Sequence, residues 1–236
     1  MKQLLVSLAL AFAGAAASAS AAVSPTSIAV TGSATVAKVP DQATVNASLV
    51  TTADRASDAV DENNRRYDAI VAAVVRSGVR RDDITLSYYN VNYVPKPNPL
   101  PANPSPYERY GYTVTRSFAI KVRAMDKAGS VVDAATQSGA TNIEGVAFGL
   151  AHPEAARSEA TRKAVADARE KATELAQAAG LHVVGIKSIE LEGAPSVRPL
   201  MMAKVAIPAP DSAPTQFDAG NVTVSSNVTV VFSAQP

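Results

Sequence analysis

The sequence contains no cysteine and no tryptophan, and only two of its 236 residues are histidine. The lack of cysteine excludes disulfides, thiolate metal ligands and the lipid-accepting cysteine of a bacterial lipoprotein. The chain must therefore hold its fold through core packing alone. A histidine metal site needs at least a second well-placed ligand, so His152 and His182, isolated in different segments, predict no metal site.

Charge of one sign is not in excess either. The chain has 22 Lys and Arg against 21 Asp and Glu, and removing Lys2 with an N-terminal leader leaves 21 of each. A net charge of zero argues against nucleic acid or an anionic lipid surface as the partner. Near-neutral chains also resist self-association only weakly.

Only one long apolar run is present, and it lies at the N-terminus. Lys2 precedes an apolar stretch over residues 4–17, and Ala19-Ser20-Ala21 supplies small residues for cleavage. This order predicts a secretory signal peptide over residues 1–22, because the run is shorter than the roughly 20 residues of a spanning helix. Residues 23–236 then form one exported domain without stable membrane insertion, expected in the periplasm, with an association with the outer membrane left open.

Motifs that carry chemistry are missing. The sequence has no serine nucleophile elbow, no phosphate-cradling loop and no dinucleotide fingerprint, and the glycines at 145 and 149 fall inside a predicted strand. Asp82 and Asp83 fall in a predicted turn, where we expect them to be solvated. The sequence therefore predicts no catalytic, cofactor-binding or metal-binding residues, and a protein that is not an enzyme.

Three amphipathic segments predict helices over 54–77, 126–138 and 153–179. The first has Asp54 as its expected cap and an apolar stripe through Val60, Asn64 and Tyr67. In the third, alanine recurs at every fourth residue, a row that Val165, Leu175 and Ala179 widen, and such a row lets a helix lie very close to its neighbour. The row consists of Ala156, Ala160, Ala164, Ala168, Ala172 and Ala176.

A glycine follows each helix, at Gly78, Gly139 and Gly180, and a predicted strand follows each glycine, over 84–94, 143–150 and 183–191. Glycine supplies the left-handed residue that ends a helix. The other strands alternate between apolar and polar residues, which is typical of antiparallel sheets with one covered face. We therefore predict an α+β fold, an antiparallel β-sheet covered by three helices, with repeated helix–glycine–strand modules.

Two segments break this regularity, and whether they are ordered stays open. Residues 95–106 hold six prolines, which predicts an extended surface loop. Residues 193–220 hold five prolines and show no clear period, which predicts a long loop. The apolar patch at Leu200-Met201-Met202 in this loop is a candidate contact with a partner.

Tyrosine is concentrated around the first of these segments. Tyrosine offers rigid contact area with a polar tip, so the cluster predicts either a surface for another protein or rings that pin the loop to its own sheet. The clustered residues are Tyr88, Tyr89, Tyr93, Tyr107, Tyr110 and Tyr112. Arg116 falls on the apolar side of a nearby strand, where it needs either a buried carboxylate partner or a strand end from which it reaches water.

The ordered set of glycines, alanines and caps resembles the SIMPL-domain family of bacterial periplasmic proteins, which includes periplasmic immunogenic proteins. The resemblance extends over about residues 27–232 and is strongest in the alanine helix. It is carried by Gly32 with Pro40-Asp41, Gly78 with Asp83-Ile84, Gly111-Tyr112, Arg123 to Asp126, Gly139 to Ile143, Gly145, Phe148, Glu159-Ala160, Lys163-Ala164-Val165, Asp167-Ala168-Arg169, Lys171-Ala172, Leu175-Ala176, Gly180 and Gly220.

The resemblance implies an α+β fold, export, large ring-shaped homo-oligomers with a central channel in some members, and a link to envelope or oxidative stress in others. It provides no catalytic residues. Our first hypothesis is a non-enzymatic, self-associating periplasmic protein, with envelope partners also able to use the tyrosine–proline face. The alternative is a monomeric binding module for a small envelope ligand or a stressed-protein client, with Arg116 as its anchor.

Overall fold

The computed structural model describes residues 25–99, 109–198 and 215–236, and the backbone of 200–201. The helices are α1 (Ala56–Arg76), α2 (Ala128–Gln137) and α3 (Glu154–Ala178). The strands are β1 (Thr26–Lys38), β2 (Gln42–Ala53), β3 (Ile84–Val94), β4 (Gly111–Val122), β5 (Asn142–Gly149), β6 (His182–Leu191), β7 (Ser196–Arg198), β8 (Leu200–Met201) and β9 (Val222–Gln235). The predicted α+β fold is confirmed; the signal peptide at 1–22 lies outside the described residues and stays a prediction.

The strands form two antiparallel sheets. The larger has the order β3-β4-β2-β5-β8, and the smaller has the order β1-β9-β6, with β7 also paired to β9. Helices α1 and α2 pack on the larger sheet, while α3 packs on the smaller one. The main core lies between the larger sheet and its two helices, around Phe118, Phe148 and Ile70.

The predicted helix–glycine–strand modules are confirmed at all three helix ends. Gly78, Gly139 and Gly180 have φ angles of 98°, 104° and 71°, in the left-handed region that favours glycine. The residue after each glycine donates its backbone N–H to a carbonyl five residues earlier, as Leu181 does to Ala176 at 2.8 Å. This is the Schellman arrangement, which satisfies the last carbonyls of a helix.

The alanine row of α3 lies against β1 and is buried along its whole length. The closest approach is at Gly32 of β1, where an added Cβ would lie 2.1 Å from the Ala164 carbonyl oxygen and 2.7 Å from the Ala168 Cβ. Backbone and helix therefore touch at a distance that only glycine opposite alanine permits. The expected widening of the row is wrong at Leu175, which is 53% exposed, and at Ala179, which is exposed beyond the end of the helix.

Two charged residues of α3 cover the free edge of β1. The carboxylate of Asp167 accepts a hydrogen bond from the Ser33 backbone N–H at 2.8 Å, and the Lys171 ammonium donates to the Thr31 carbonyl at 3.1 Å. Lys171 also pairs with Asp167 at 2.6 Å. These hydrogen bonds, from Lys171 first and then Ser33, lower the pKa of Asp167. Side chains thus satisfy polar groups of β1 that no strand pairs.

Helix α1 differs from its expected boundaries and stripe. It begins at Ala56, and its N-cap is Arg55 without a side-chain hydrogen bond, so Asp54 does not cap it. The buried face passes through Ala59 and Asn63, whereas Val60 is partly buried and Asn64 is exposed. The predicted stripe is confirmed at Tyr67, so only its first two positions are displaced, each by one residue.

Asp83 is not the solvated turn residue that the sequence predicts. It is 7% exposed and ends a short 3-10 turn, Arg81–Asp83. Its carboxylate pairs with Arg80 at 3.0 Å and with Arg123, from the end of β4, at 2.9 Å. Hydrogen bonds from Arg123 and then Arg80 hold the pKa of Asp83 well below its usual range.

The second proline-containing segment is partly built into the sheets. Within 193–220, β7 pairs with β9 and β8 pairs with β5, so this stretch is not wholly a loop. Further on, Asp133 of α2 binds the hydroxyl of Thr215 at 2.6 Å. Met202 and most of 95–106 lie outside the described residues, although residues 95–99 are exposed as expected. In the described part of the chain, no helix is long and apolar enough to cross a membrane.

The close contact at Gly32 yields a first prediction. Gly32→Ala should lower the free energy of unfolding by about 3 kcal/mol, because the new methyl group forces α3 away from β1. Urea unfolding of the mature protein measures this change. Gly149→Ala is the matched control, since its Cβ would meet no atom closer than 3.9 Å, and it should change the same free energy by less than about 1 kcal/mol. Equal effects of the two substitutions would contradict the account.

Candidate functional site: the open edge of β3

Among the described residues, strand β3 is the end strand of the larger sheet and is paired only with β4. Ile84 at its start is buried, but five of its hydrophobic side chains are exposed, on both faces of the sheet: Leu86, Tyr88, Tyr89, Val91 and Tyr93. Tyr88 and Tyr93 are 52% and 58% exposed. One long strand therefore presents both an unpaired backbone edge and a large apolar surface among the described residues.

The register between β3 and β4 explains why so many side chains of β3 are exposed. A bulge between Leu86 and Tyr88 leaves Leu86, Tyr89 and Val91 opposite the inward-facing residues of β4. These side chains therefore point to the side of the sheet that carries the core. Helix α1 packs over β2 and β4, and the inward side of β3 lies beyond the part of the sheet that it covers. Leu86, Tyr89 and Val91 thus form an uncovered apolar margin of the sheet beside α1.

Natural sheets protect an edge with charge, proline, a bulge or a covering element. β3 has no charged residue and no proline from Ile84 to Val94, and in the part of the chain that the structure describes its one protective feature is the bulge after Leu86. The edge of β1 is covered by α3, and β6 carries Lys187 and Glu190 together with two register shifts. β3 is thus the least protected of these three edges.

Arg116 lies in the middle of β4, opposite Leu49 of β2 and Tyr89 of β3. Its Nη2 donates to the Asn64 side-chain oxygen at 2.7 Å. The guanidinium carbon lies 4.4 Å from the centroid of the Tyr67 ring and 5.1 Å from that of Tyr89. Among the described residues Arg116 has no ion pair, and its Nε is buried without a hydrogen-bond partner.

Both expectations for Arg116 are therefore corrected. Its partner is an amide rather than a carboxylate, and the residue is not at a strand end. Aromatic faces stabilise a guanidinium without a counter-charge. The stacking also fixes Tyr89 on the inward face of β3, next to the uncovered margin.

The tyrosine cluster divides between the two predicted roles. The rings of Tyr93 and Tyr112, opposite each other on β3 and β4, lie 5.0 Å apart and pack on one another. Tyr88 points to the opposite face, where it is open. Tyr107 lies outside the described residues. One pair of rings thus holds the end of the hairpin, while the other described tyrosines of β3 contribute to an exposed surface.

The two histidines lie in different segments of the fold. His152 precedes α3 and His182 opens β6, and both are exposed. In the ranges that the structure describes, no group of three or more histidine or acidic side chains could hold a metal ion. The arrangement around β3 is suited to binding a polypeptide strand, because its chemistry consists of backbone hydrogen-bonding groups and apolar contacts.

The sequence pointed to the tyrosines but not to the edge that carries them. The available signal was an uncharged run of eleven residues just before a proline-rich segment. Such a run gives no information about which strand ends a sheet, because that depends on pairing between distant segments.

Comparison with known proteins agrees with the resemblance noted in the sequence. The family described as SIMPL, protein of unknown function (DUF541), matches residues 28–232. The chain is 28% identical over 218 residues to the 26 kDa periplasmic immunogenic protein of Brucella melitensis, covering 88% of this chain and 84% of that protein. It is 26% identical over 214 residues to the uncharacterized protein YggE of Escherichia coli K12, covering 89% and 83% respectively.

Proposed function

This chain belongs to the SIMPL family, whose function is unknown, and we propose that it is a non-enzymatic periplasmic protein that assembles with further copies of itself through the β3 edge. The predicted signal peptide supports export. A relative named as periplasmic, similar over most of both chains, supports the compartment. The observation that carries the proposal is the long, uncharged β3 strand, whose outer edge no described strand pairs.

Addition of a strand at the free edge of β3 would stabilise this edge in two ways. A second strand would pair with its free N–H and C=O groups, and it would extend the sheet beyond the margin that α1 leaves bare. Leu86, Tyr89 and Val91 of the two β3 strands would then lie next to one another between the two α1 helices, which removes part of their apolar surface from water. Each buried side chain of this size contributes roughly 1.5–3 kcal/mol.

A second copy suits this edge better than a charged partner does. β3 has no charged side chain, so two identical strands can approach without like-charge repulsion. The mature chain also has no net charge that would keep copies apart. Pairing of β3 with β3 across a two-fold axis gives a dimer, and a second interface at the β6 edge would allow the ring that the family resemblance implies.

A role in envelope or oxidative stress forms the remaining part of the proposal and rests on the family resemblance. In a chain without cysteine, such a role would come from assembly or from client binding and not from thiol chemistry.

The mass of the mature protein, measured by light scattering on a sizing column, tests the proposal. We expect an assembly larger than one chain, and we expect Leu86→Lys to reduce its mass, because a charge at the edge opposes strand pairing. Leu175→Lys is the matched control, since Leu86 is 57% exposed and Leu175 is 53% exposed on α3. The control should leave the mass unchanged.

A single-chain mass for the unsubstituted protein would overturn self-association. An equal reduction of the mass by both lysine variants would remove β3 as the interface. Circular dichroism of the two variants checks that each retains its fold.

The buried Nε of Arg116 favours a second candidate function, a monomeric binding module for a small envelope ligand or a stressed-protein client. The group has no hydrogen-bond partner among the residues that the structure describes, and the apolar margin of β3 adjoins it. A ligand with an acceptor atom and a flat apolar part would complete this site.

A thermal-shift screen with cell-wall fragments, lipids and oxidised peptides tests this alternative. Stabilisation of the unsubstituted protein that disappears in Arg116→Ala, and persists in the exposed-surface control Arg169→Ala, is the expected outcome. A ligand at 100 times its dissociation constant would stabilise the fold by about 2.7 kcal/mol. If no compound shifts the melting temperature, or if Arg116→Ala retains every shift, Arg116 is not an anchor.

A further inference from the structure

A cleft lies at the end of the larger sheet, where the segment that follows α1 meets the end of β4. It encloses about 100 Å³, and four cationic residues are among those that line it, namely Arg80, Lys121, Arg123 and Lys127. Asp83 is its one acidic lining residue. Four positive groups and one negative group leave a net formal charge of +3, in a mature chain whose net charge is zero.

The carboxylate of Asp83 organises the two arginines. Each guanidinium approaches it through Nε and Nη2, at distances from 2.9 to 3.3 Å. The Nη1 group of each arginine therefore has no hydrogen-bond partner in the described part of the chain. Asp83 thus occupies the Nε–Nη2 fork of each arginine, and the Nη1 donors remain to hydrogen-bond a further acceptor such as a phosphate oxygen.

The two lysines add charge that no carboxylate neutralises. Neither Lys121 nor Lys127 forms an ion pair with any described residue, whereas Lys38, Lys163 and Lys171 each do. The Lys127 ammonium lies 2.7 Å from where a Cβ on Gly78 would stand, so it also offsets the negative end of α1. Lys121 has no such structural role and is the more informative residue to change.

The geometry points to a binding site for a phosphate group in this cleft. A phosphate carries about −1.5 to −2 charges at pH 7 and three strong acceptor oxygens, so it offsets an excess of three positive charges better than a single carboxylate does. At about 100 Å³, the cleft exceeds several-fold the roughly 10–15 Å³ that a single water needs, so it has room for a small tetrahedral anion. The phosphate could be a free ion or the headgroup of a lipid with a terminal phosphate, and self-association at β3 is not required.

Equilibrium dialysis of the mature protein against radiolabelled inorganic phosphate, at low ionic strength, tests the site. We expect saturable binding, weakened roughly tenfold by Lys121→Gln because one charge-assisted hydrogen bond is lost. Lys121→Arg keeps the charge and should retain the affinity. Lys163→Gln, on the exposed side of α3, removes the same charge elsewhere and should leave the affinity unchanged.

Flotation with phosphatidylcholine vesicles, with and without phosphatidic acid, distinguishes the two sources. Binding of free phosphate without flotation assigns the site to a soluble ion, and flotation that needs both phosphatidic acid and Lys121 assigns it to a lipid headgroup. If neither probe binds, or if Lys163→Gln weakens binding as much as Lys121→Gln does, the proposal is wrong. The mass of each variant by light scattering confirms that assembly has not changed.

Discussion

The contact between Gly32 of β1 and the alanine row of α3 is the constraint on which the smaller sheet depends. Because the helix lies almost on the strand backbone, Asp167 and Lys171 reach polar groups at the edge of β1. Close packing and edge protection therefore have a single cause. This explains why the charged residues beside the alanines carry part of the fold, although their spacing alone places them on a solvated face.

The larger sheet has no equivalent protection at β3. Its helices cover the central strands. The Arg116 guanidinium stacks on Tyr67 of α1 and on Tyr89 of β3, and so links this strand to the helix. At the outer edge of this apolar margin, the N–H and C=O groups of β3 that point away from β4 have no strand partner among the described residues. The edges of the two sheets are thus protected to different degrees, and the exposed edge of β3 is the one through which we propose that copies of the chain associate. The phosphate cleft lies at the start of the same strand but depends on charge and not on the open edge.

Local signals predicted much of this fold. The alanine period and the glycine after each helix fixed three helix ends to within two residues, and β3 has the predicted boundaries. Features that depend on distant partners were missed. Asp83 looked solvated because Arg123 is forty residues away, and Arg116 looked incomplete because Asn64 and Tyr67 lie on a helix. The edge position of β3 follows from strand order, which no local pattern encodes.

Hydrogen–deuterium exchange of the mature protein, at high and low protein concentration, tests the central claim most directly. If copies pair through β3, amides of Ile84–Val94 that point away from β4 exchange slowly in the concentrated protein and rapidly after dilution. Amides of β2, which lies between two strands, exchange slowly in both samples. Rapid exchange of the outward β3 amides at every concentration would contradict the claim that this edge joins copies of the chain.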